Sequence, residues 1–222
     1  LIILNVSKSK KNIEKFCEDY KKIAENCFVP ITIGGGITEF ENAKFYLTNG
    51  ADKIMINSAI HEKPILLKNI TEVFGQQSII VSIDVKKINS EHKIFIKNGS
   101  EKTDKTIPLY LKDLLELPFG EIYINSIDKD GTGTGLDLNI LDNISPSVVQ
   151  PIIISGGCGN YKHFLEGLKN EKVSAISTAN LLNFVGDGLK NSRLNLEKQN
   201  YNFPKWDQDK IKNIFNYFNN ND

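Results

Sequence analysis

Apolar residues along the chain fall into short clusters separated by longer stretches in which apolar and polar positions alternate with helical spacing. The clusters are rich in Ile and Val and are apolar at nearly every position. Such runs are typical of strands buried on both faces of a parallel sheet. We predict strands at residues 1–4, 30–33, 53–56, 78–83, 121–124, 151–154 and 174–178.

The stretches between these strands predict helices. In residues 13–24 the apolar side chains of Ile13, Phe16, Tyr20 and Ile23 recur every three or four positions, so they line one helical face. The same spacing predicts helices at 40–47, 65–74, 109–117 and 161–168. Alternating strands and helices indicate right-handed βαβ units within one α/β domain over residues 1–200.

Two segments depart from this alternation. Residues 86–105 are mostly polar and contain Asn98-Gly99, which predicts a hairpin-like insertion after the fourth strand. Residues 201–222 are interpreted as a C-terminal tail, with a possible amphipathic helix at 211–218.

An internal repeat relates two parts of the chain. Pro30-Ile-Thr-Ile-Gly-Gly-Gly36 resembles Pro151-Ile-Ile-Ile-Ser-Gly-Gly157 at an offset of 121, which is 151 − 30. Residues 53–58 match 175–180 at 122, and residues 1–5 match 124–128 at 123. Matched pairs at nearly one offset indicate a duplicated half-domain. We therefore predict a (β/α)8 TIM barrel of duplicated half-barrels, whose first βα unit is missing from this sequence.

Glycines follow the repeated strands. Backbone N–H groups at such turns bind anions, because no Cβ blocks the approaching oxygens. Loops after the last two strands of a barrel often hold phosphate. Here these loops carry Gly156-Gly157 and Ala179-Asn180, and the repeat supplies Gly35-Gly36 and Asn57-Ser58. Two such sites suit a substrate with a phosphate at each end, although each glycine could merely end a strand.

Two carboxylates follow buried strands at the barrel face where catalysis occurs. Asp84 and Asp130 could each be desolvated there, which would raise the pKa toward a range useful for acid–base work. The alternative is that each Asp caps a loop or turn. At the other end of the barrel, Lys53 and Glu121 begin two strands, and we expect a stabilising ion pair between them.

Composition excludes several classes of protein. The 222 residues carry 27 Lys+Arg and 27 Asp+Glu, so no broad basic face for nucleic acid is expected. No apolar run approaches the roughly 18–20 residues that span a bilayer. Cys17, Cys27 and Cys158 form no metal-binding or paired pattern, which predicts a cytoplasmic protein without structural metal or disulfide. We expect no metal or cofactor, and we expect His61, His92 and His163 to be solvated surface residues.

The motifs resemble those of a known family. They are PITIGGGI at 30–37, ADKIMINS at 51–58, FGQQSIIVSIDVK at 74–86, INSIDKDGTGTG at 124–135 and ISGGCG at 154–159. Together they resemble the cyclase subunit (HisF) family of imidazole glycerol phosphate synthase over residues 1–184. The resemblance implies a glutaminase partner at the N-terminal mouth of the barrel. Ammonia would pass through the barrel centre to a bisphosphorylated aminoimidazole-carboxamide ribonucleotide.

The resemblance also implies residue roles. Asp84 would be one of two essential acid–base carboxylates, the other belonging to the first βα unit. Lys53 and Glu121 would belong to a charged ring that gates ammonia, and Asp52 would contact the glutaminase. One phosphate would be held by Gly35, Gly36, Asn57 and Ser58. The distal phosphate would lie beside Asp130 with Gly131, Gly156, Gly157, Ala179 and Asn180.

Some positions depart from the family pattern. Asn5 stands where Asp is usual and Asn180 where Ser is usual. Without the second carboxylate, the 222-residue chain is expected to turn over nothing measurable. Three alternatives stay open: a paralogue that supplies ammonia for amidation of a surface-polysaccharide sugar, a phosphoribosyl isomerase of the same fold, and a non-catalytic fragment.

Overall fold

A curled sheet of parallel strands forms the centre of the molecule. The computed structural model describes residues 1–7, 12–25, 27–179 and 188–202. The parallel strands, in spatial order, are β1 (Ile2–Leu4), β2 (Thr32–Gly34), β3 (Lys53–Ile56), β4 (Ile79–Ile88), β7 (Glu121–Ser126), β8 (Ile152–Ser155) and β9 (Val173–Ile176). An antiparallel hairpin, β5 (Glu91–Ile96) and β6 (Glu101–Thr106), extends from β4. All seven predicted strands are confirmed, within an α/β arrangement of the (β/α)8 type.

Helices connect the parallel strands. They are α1 (Ile13–Ala24), α2 (Phe40–Thr48), α3 (Ala59–Glu62), α4 (Ile65–Phe74), α5 (Ile107–Leu114), α6 (Tyr161–Leu168) and α7 (Gly188–Glu197). The five predicted helices are confirmed, although α5 begins and ends earlier than predicted. Its start is fixed by Pro108 in the first turn, where proline's missing N–H is not needed. The possible helix at 211–218 lies outside the described residues.

The main core lies between the sheet and the helices. Ile54 and Ile122 of the sheet, with Leu67 and Ile70 of α4, are fully buried. The other face of the strands is much more polar, with Ser82, Asp84, Tyr123, Asn125 and Ser155 lining a cavity. Burying apolar side chains on the helix side stabilises the fold and leaves the barrel interior available for polar groups.

Strand register confirms the duplication and corrects one offset. Leu4 pairs with Gly34 as Asn125 pairs with Ser155, so both strands of this pair are related by an offset of 121 (125 − 4 and 155 − 34). The predicted offset of 123 for the first strand was wrong. Side chains alternate with a period of two along a strand, so a shift of two residues leaves every side chain on the same face of the sheet. The sequence pattern alone therefore does not reveal such a shift.

The predicted hairpin insertion is confirmed, but β4 continues to Ile88, past its predicted end at residue 83. Asn89 and Ser90 form the first turn, with φ of 49° and 67°. Asn98 and Gly99 belong to the second turn, with φ of 59° and 76°. Left-handed residues of this kind are required by tight hairpin turns.

The expectation that the three histidines are solvated was wrong. The His92 side chain is only 7% exposed, and its Nε2 lies 3.0 Å from Oδ2 of Asp137. Asp137 is 45 residues away in sequence, so no local pattern reveals the pair. His61 stacks on Tyr110, with ring centroids 4.7 Å apart, and His163 Nδ1 accepts a hydrogen bond from the N–H of Gly159.

In the parts of the chain that the structure describes, no helix is long and apolar enough to cross a membrane.

Candidate active site

A cavity of about 530 Å³ opens at the carboxyl ends of the parallel strands. It brings together ten of the residues predicted to bind phosphate or to act in catalysis: Gly35, Gly36, Asn57, Ser58, Asp84, Asp130, Gly131, Gly156, Gly157 and Ala179. The remaining predicted phosphate ligand, Asn180, lies outside the described residues. Residues separated by more than a hundred positions therefore line the same cavity, as the barrel topology requires.

Asp84 is a partly buried residue that lines this cavity, and two amides fix its carboxylate. Asn57 Nδ2 donates to its Oδ2 at 2.8 Å, and Asn125 Nδ2 donates to its Oδ1 at 3.4 Å. Burial raises the pKa of Asp84 above its usual range, and the negative charge of Asp130 adds to that rise. The two amide hydrogen bonds act in the opposite direction because they favour the carboxylate. Asp84 is thus an oriented carboxyl group whose ionisation is made costly by desolvation.

Asp130 occupies a turn after β7. Its backbone N–H donates to the carbonyl oxygen of Ser126 at 2.9 Å, while its side chain is exposed at the cavity rim. Among the described residues, none donates a hydrogen bond to its carboxylate. Asp130 therefore lies in a turn and lines the cavity, and its role in catalysis or phosphate binding stays a prediction.

The two glycine turns share one backbone conformation. Gly35 and Gly36 have φ of 91° and 82°, and Gly156 and Gly157 have φ of 95° and 91°. A Cβ on Gly35 would overlap the carbonyl oxygen of Asn5, and a Cβ on Gly156 would lie 2.6 Å from that of Ser126. Only glycine tolerates both this φ and this close approach.

These turns leave N–H groups available to an anion. In the described parts of the chain, no group accepts a hydrogen bond from the backbone N–H of Gly35, Gly36, Gly156 or Gly157. A phosphate bound at either turn would satisfy such donors without displacing an internal hydrogen bond.

Other contacts hold the loops around the cavity. Ser58 Oγ accepts a hydrogen bond at 2.8 Å from the N–H of Lys97, at the tip of the β5–β6 hairpin. Thr178 Oγ1 donates at 3.0 Å to the carbonyl oxygen of Cys158 and joins the two loops of the distal site. Burial raises the pKa of Cys158 to about 12, so this thiol stays neutral.

Sequence reasoning missed several residues that line this cavity. Tyr123, Asn125, Ser155 and Ser177 reach it from inside the barrel, and Lys97 and Asn98 reach it from the hairpin. The signal was present in Glu121–Ser126, where polar or aromatic side chains alternate with isoleucine. The hairpin residues carried no local signal, because their position depends on the fold of β5 and β6.

The opposite end of the barrel carries the predicted ion pair. Lys53 Nζ contacts Glu121 Oε1, and the two side chains are 30% and 22% exposed. Nearby, Asp52 Oδ2 accepts a hydrogen bond at 2.7 Å from the N–H of Ile31. The structure therefore confirms the ion pair and fixes Asp52 at the same mouth.

The described stretches contain no group of three or more His, Cys, Asp or Glu side chains that could hold a metal ion.

Comparison with known proteins agrees with this geometry. The family described as "Histidine biosynthesis protein" matches residues 1–185. One relative, from Parasynechococcus marenigrum (strain WH8102), is named "Putative imidazole glycerol phosphate synthase subunit hisF2" and is 45% identical over 87% of this chain and 72% of its own length. Two relatives are named "Imidazole glycerol phosphate synthase subunit HisF". That of Chlorobaculum parvum (strain DSM 263 / NCIMB 8327) is 38% identical over 83% of this chain and 73% of its own. That of Chloroherpeton thalassium (strain ATCC 35110 / GB-78) is 34% identical over 90% and 79%. The chain therefore belongs to the histidine biosynthesis protein family, among the HisF subunits of imidazole glycerol phosphate synthase.

Proposed function

We propose that this protein is the cyclase subunit of imidazole glycerol phosphate synthase. It combines ammonia with a bisphosphorylated ribulosyl-aminoimidazole-carboxamide nucleotide and releases imidazole glycerol phosphate and the aminoimidazole-carboxamide ribonucleotide. One observation carries the proposal: two glycine turns related by the repeat and one partly buried carboxylate share a single cavity. The names of the relatives favour this function over sugar amidation and isomerisation.

The two turns account for the two phosphates. Gly35 and Gly36, with Asn57 and Ser58 on the next loop, hold one phosphate through backbone N–H groups and polar side chains. The distal phosphate lies against Gly131, Gly156, Gly157 and Ala179, with Asn180 as a further proposed ligand. A substrate held at both ends spans the cavity, so its central carbons lie over Asp84.

Asp84 performs acid–base work on the bound substrate. The nitrogen lone pair of ammonia forms a C–N bond at the ribulosyl ketone, and the carbonyl oxygen must then gain protons to depart as water. A carboxyl group with a raised pKa stays protonated at higher pH than an ordinary Asp side chain, so it can donate a proton at this stage. Ring closure then removes a proton, which the resulting carboxylate accepts. Cleavage of the bond to the departing ribonucleotide returns a proton to its nitrogen and completes the balance. The resemblance assigns the second carboxylate to the first strand of the barrel.

Ammonia reaches Asp84 from a glutaminase at the N-terminal mouth. Lys53 and Glu121 lie there as an ion pair whose side chains are partly exposed, and Asp52 presents an exposed carboxylate beside them. Fixed charges of this kind suit a polar partner surface and set its orientation. Both subunits would work in the cytoplasm.

The experiment that tests this function is a turnover assay. The full-length protein is incubated with the bisphosphorylated nucleotide and an ammonium salt, and both products are quantified. We expect the two products in a one-to-one ratio without any glutaminase. Consumption of neither reactant, in a protein that is folded, would overturn the proposed function.

A further inference from the structure

The inward side of β7 carries three different side chains at successive levels of the barrel. The ladder pairs Glu121 with Ile80, Tyr123 with Ser82 and Asn125 with Asp84. Every second residue of a strand faces the same side, so these levels are about 6.6 Å apart along the strand. Glu121 belongs to the mouth and Asn125 donates to Asp84. Tyr123 therefore stands between the proposed point of ammonia access and the acid–base carboxylate.

The phenol hydroxyl of Tyr123 lies beside the side chains of two serines, Ser155 and Ser177. This hydroxyl donates to Ser177 Oγ at 3.4 Å, and the side chains of Ser155 and Ser177 favour the ionised phenol, which partly offsets the rise in pKa that burial causes. We call these three residues the hydroxyl cluster. Ser155 pairs with Asn125 across the β7–β8 ladder, so the phenol oxygen reaches the level of Asp84. All members of the cluster line the cavity, and burial raises the pKa of Tyr123, which keeps the phenol neutral.

The hydrogen-bond roles in this cluster suit a neutral amine. A phenol has one O–H donor and can accept through its oxygen lone pairs. The donor is used on Ser177, so any further partner of this oxygen must donate a hydrogen bond to it. If ammonia donates one N–H to this oxygen, its nitrogen lone pair stays free to attack a carbon atom. An ammonium ion has no such lone pair and must first lose a proton.

We propose that the hydroxyl cluster of Tyr123, Ser155 and Ser177 is a docking position for ammonia at the base of the substrate cavity. This inference rests on the proposed cyclase function. The cluster orients the nucleophile toward the substrate above it, and Tyr123 is a positioning residue that keeps its proton throughout. The bond changes are those of the cyclase itself: the nitrogen lone pair makes the C–N bond, and the carbonyl π pair moves to oxygen.

Steady-state kinetics of the full-length protein with ammonium chloride test this inference. Tyr123→Phe keeps the ring and removes the hydroxyl. One neutral hydrogen bond is worth about 0.5–1.5 kcal/mol, so we expect KM for ammonium to rise by about two- to twelvefold. KM for the nucleotide should change by less than about twofold, because the phosphates are held elsewhere. Ser177→Ala should raise KM for ammonium in the same direction, through loss of the phenol's orientation.

Tyr110→Phe is the matched control. It also removes a buried phenol hydroxyl, which has no hydrogen-bond partner within the described residues, and it lies on α5 away from the cavity. It should leave both KM values unchanged. Unaltered KM for ammonium in folded Tyr123→Phe and Ser177→Ala would overturn the inference, as would an equal rise in both KM values. No turnover by the wild type would instead overturn the cyclase function, and this inference with it.

Discussion

At the scale of single residues, the site depends on how Asp84 is solvated and bonded. Burial raises its pKa, so the folded state binds a proton more tightly than the unfolded state does. The resulting stabilisation is fully present at pH values below the ordinary pKa of about 3.9. That stabilisation is lost as pH rises through the higher pKa of the folded state. At neutral pH the ionised carboxylate is therefore a cost to stability, which two amide donors reduce.

Removing one of those donors should raise the pKa of Asp84 further. Asn57→Ala deletes the 2.8 Å hydrogen bond that favours the carboxylate. We expect the titration midpoint of the Asp84 carboxyl carbon, followed by NMR, to move to higher pH. Asn139→Ala, at an exposed position, should leave the midpoint where it is. A midpoint that moves down in Asn57→Ala would mean that this amide does not stabilise the charged form.

The glycine turns make a second prediction at this scale. Gly156→Ala combines φ of 95° with a Cβ 2.6 Å from a carbonyl oxygen, so it should lower the free energy of unfolding by about 3 kcal/mol. Gly133→Ala shares a positive φ, but its Cβ would lie 3.8 Å from the nearest atom. It should cost about 1 kcal/mol. Urea unfolding measures both, and equal losses would contradict the close-approach argument.

At the scale of elements, the buried contact between His92 and Asp137 helps to hold the β5–β6 hairpin against the rest of the barrel. His92→Ala removes the partner of Asp137, and leaving a buried polar group unpaired costs about 1–3 kcal/mol. We expect faster hydrogen exchange across residues 91–106 and unchanged exchange in α4. Lys93→Ala, which breaks the neighbouring ion pair with Glu91, should have little effect because that carboxylate is 70% exposed. Similar exchange in the two variants would show that His92 does not anchor the hairpin.

The elements also show what sequence can and cannot predict. The seven parallel strands could be predicted because each contains a short run rich in Ile and Val, although the inward face of several strands is polar. The end of β4 could not be predicted, because Lys86 and Lys87 continue the strand into a hairpin whose pairing depends on tertiary structure. Asp84 was recognised because it follows an apolar run. Asn125 and Tyr123 were missed, because only the register of β4 against β7 brings them to the same interior.

At the scale of the whole molecule, duplication explains why one cavity has two anion-binding turns. The equivalent contacts, Gly35 against Asn5 and Gly156 against Ser126, are separated by the same offset of 121 (156 − 35 and 126 − 5). The repeat was therefore visible in sequence as a motif. Its exact alignment needed the strand registers, because a two-residue slip leaves the pattern of faces unchanged.

The central claim is that Asp84 performs acid–base chemistry on a substrate held between these two turns. The decisive measurement is kcat of full-length Asp84→Asn with ammonium and the bisphosphorylated nucleotide, beside Asp142→Asn as an exposed-carboxylate control. We predict a loss of about 10²–10⁴-fold for Asp84→Asn, with nucleotide binding retained, and a wild-type rate for Asp142→Asn. A wild-type rate for Asp84→Asn would contradict the account.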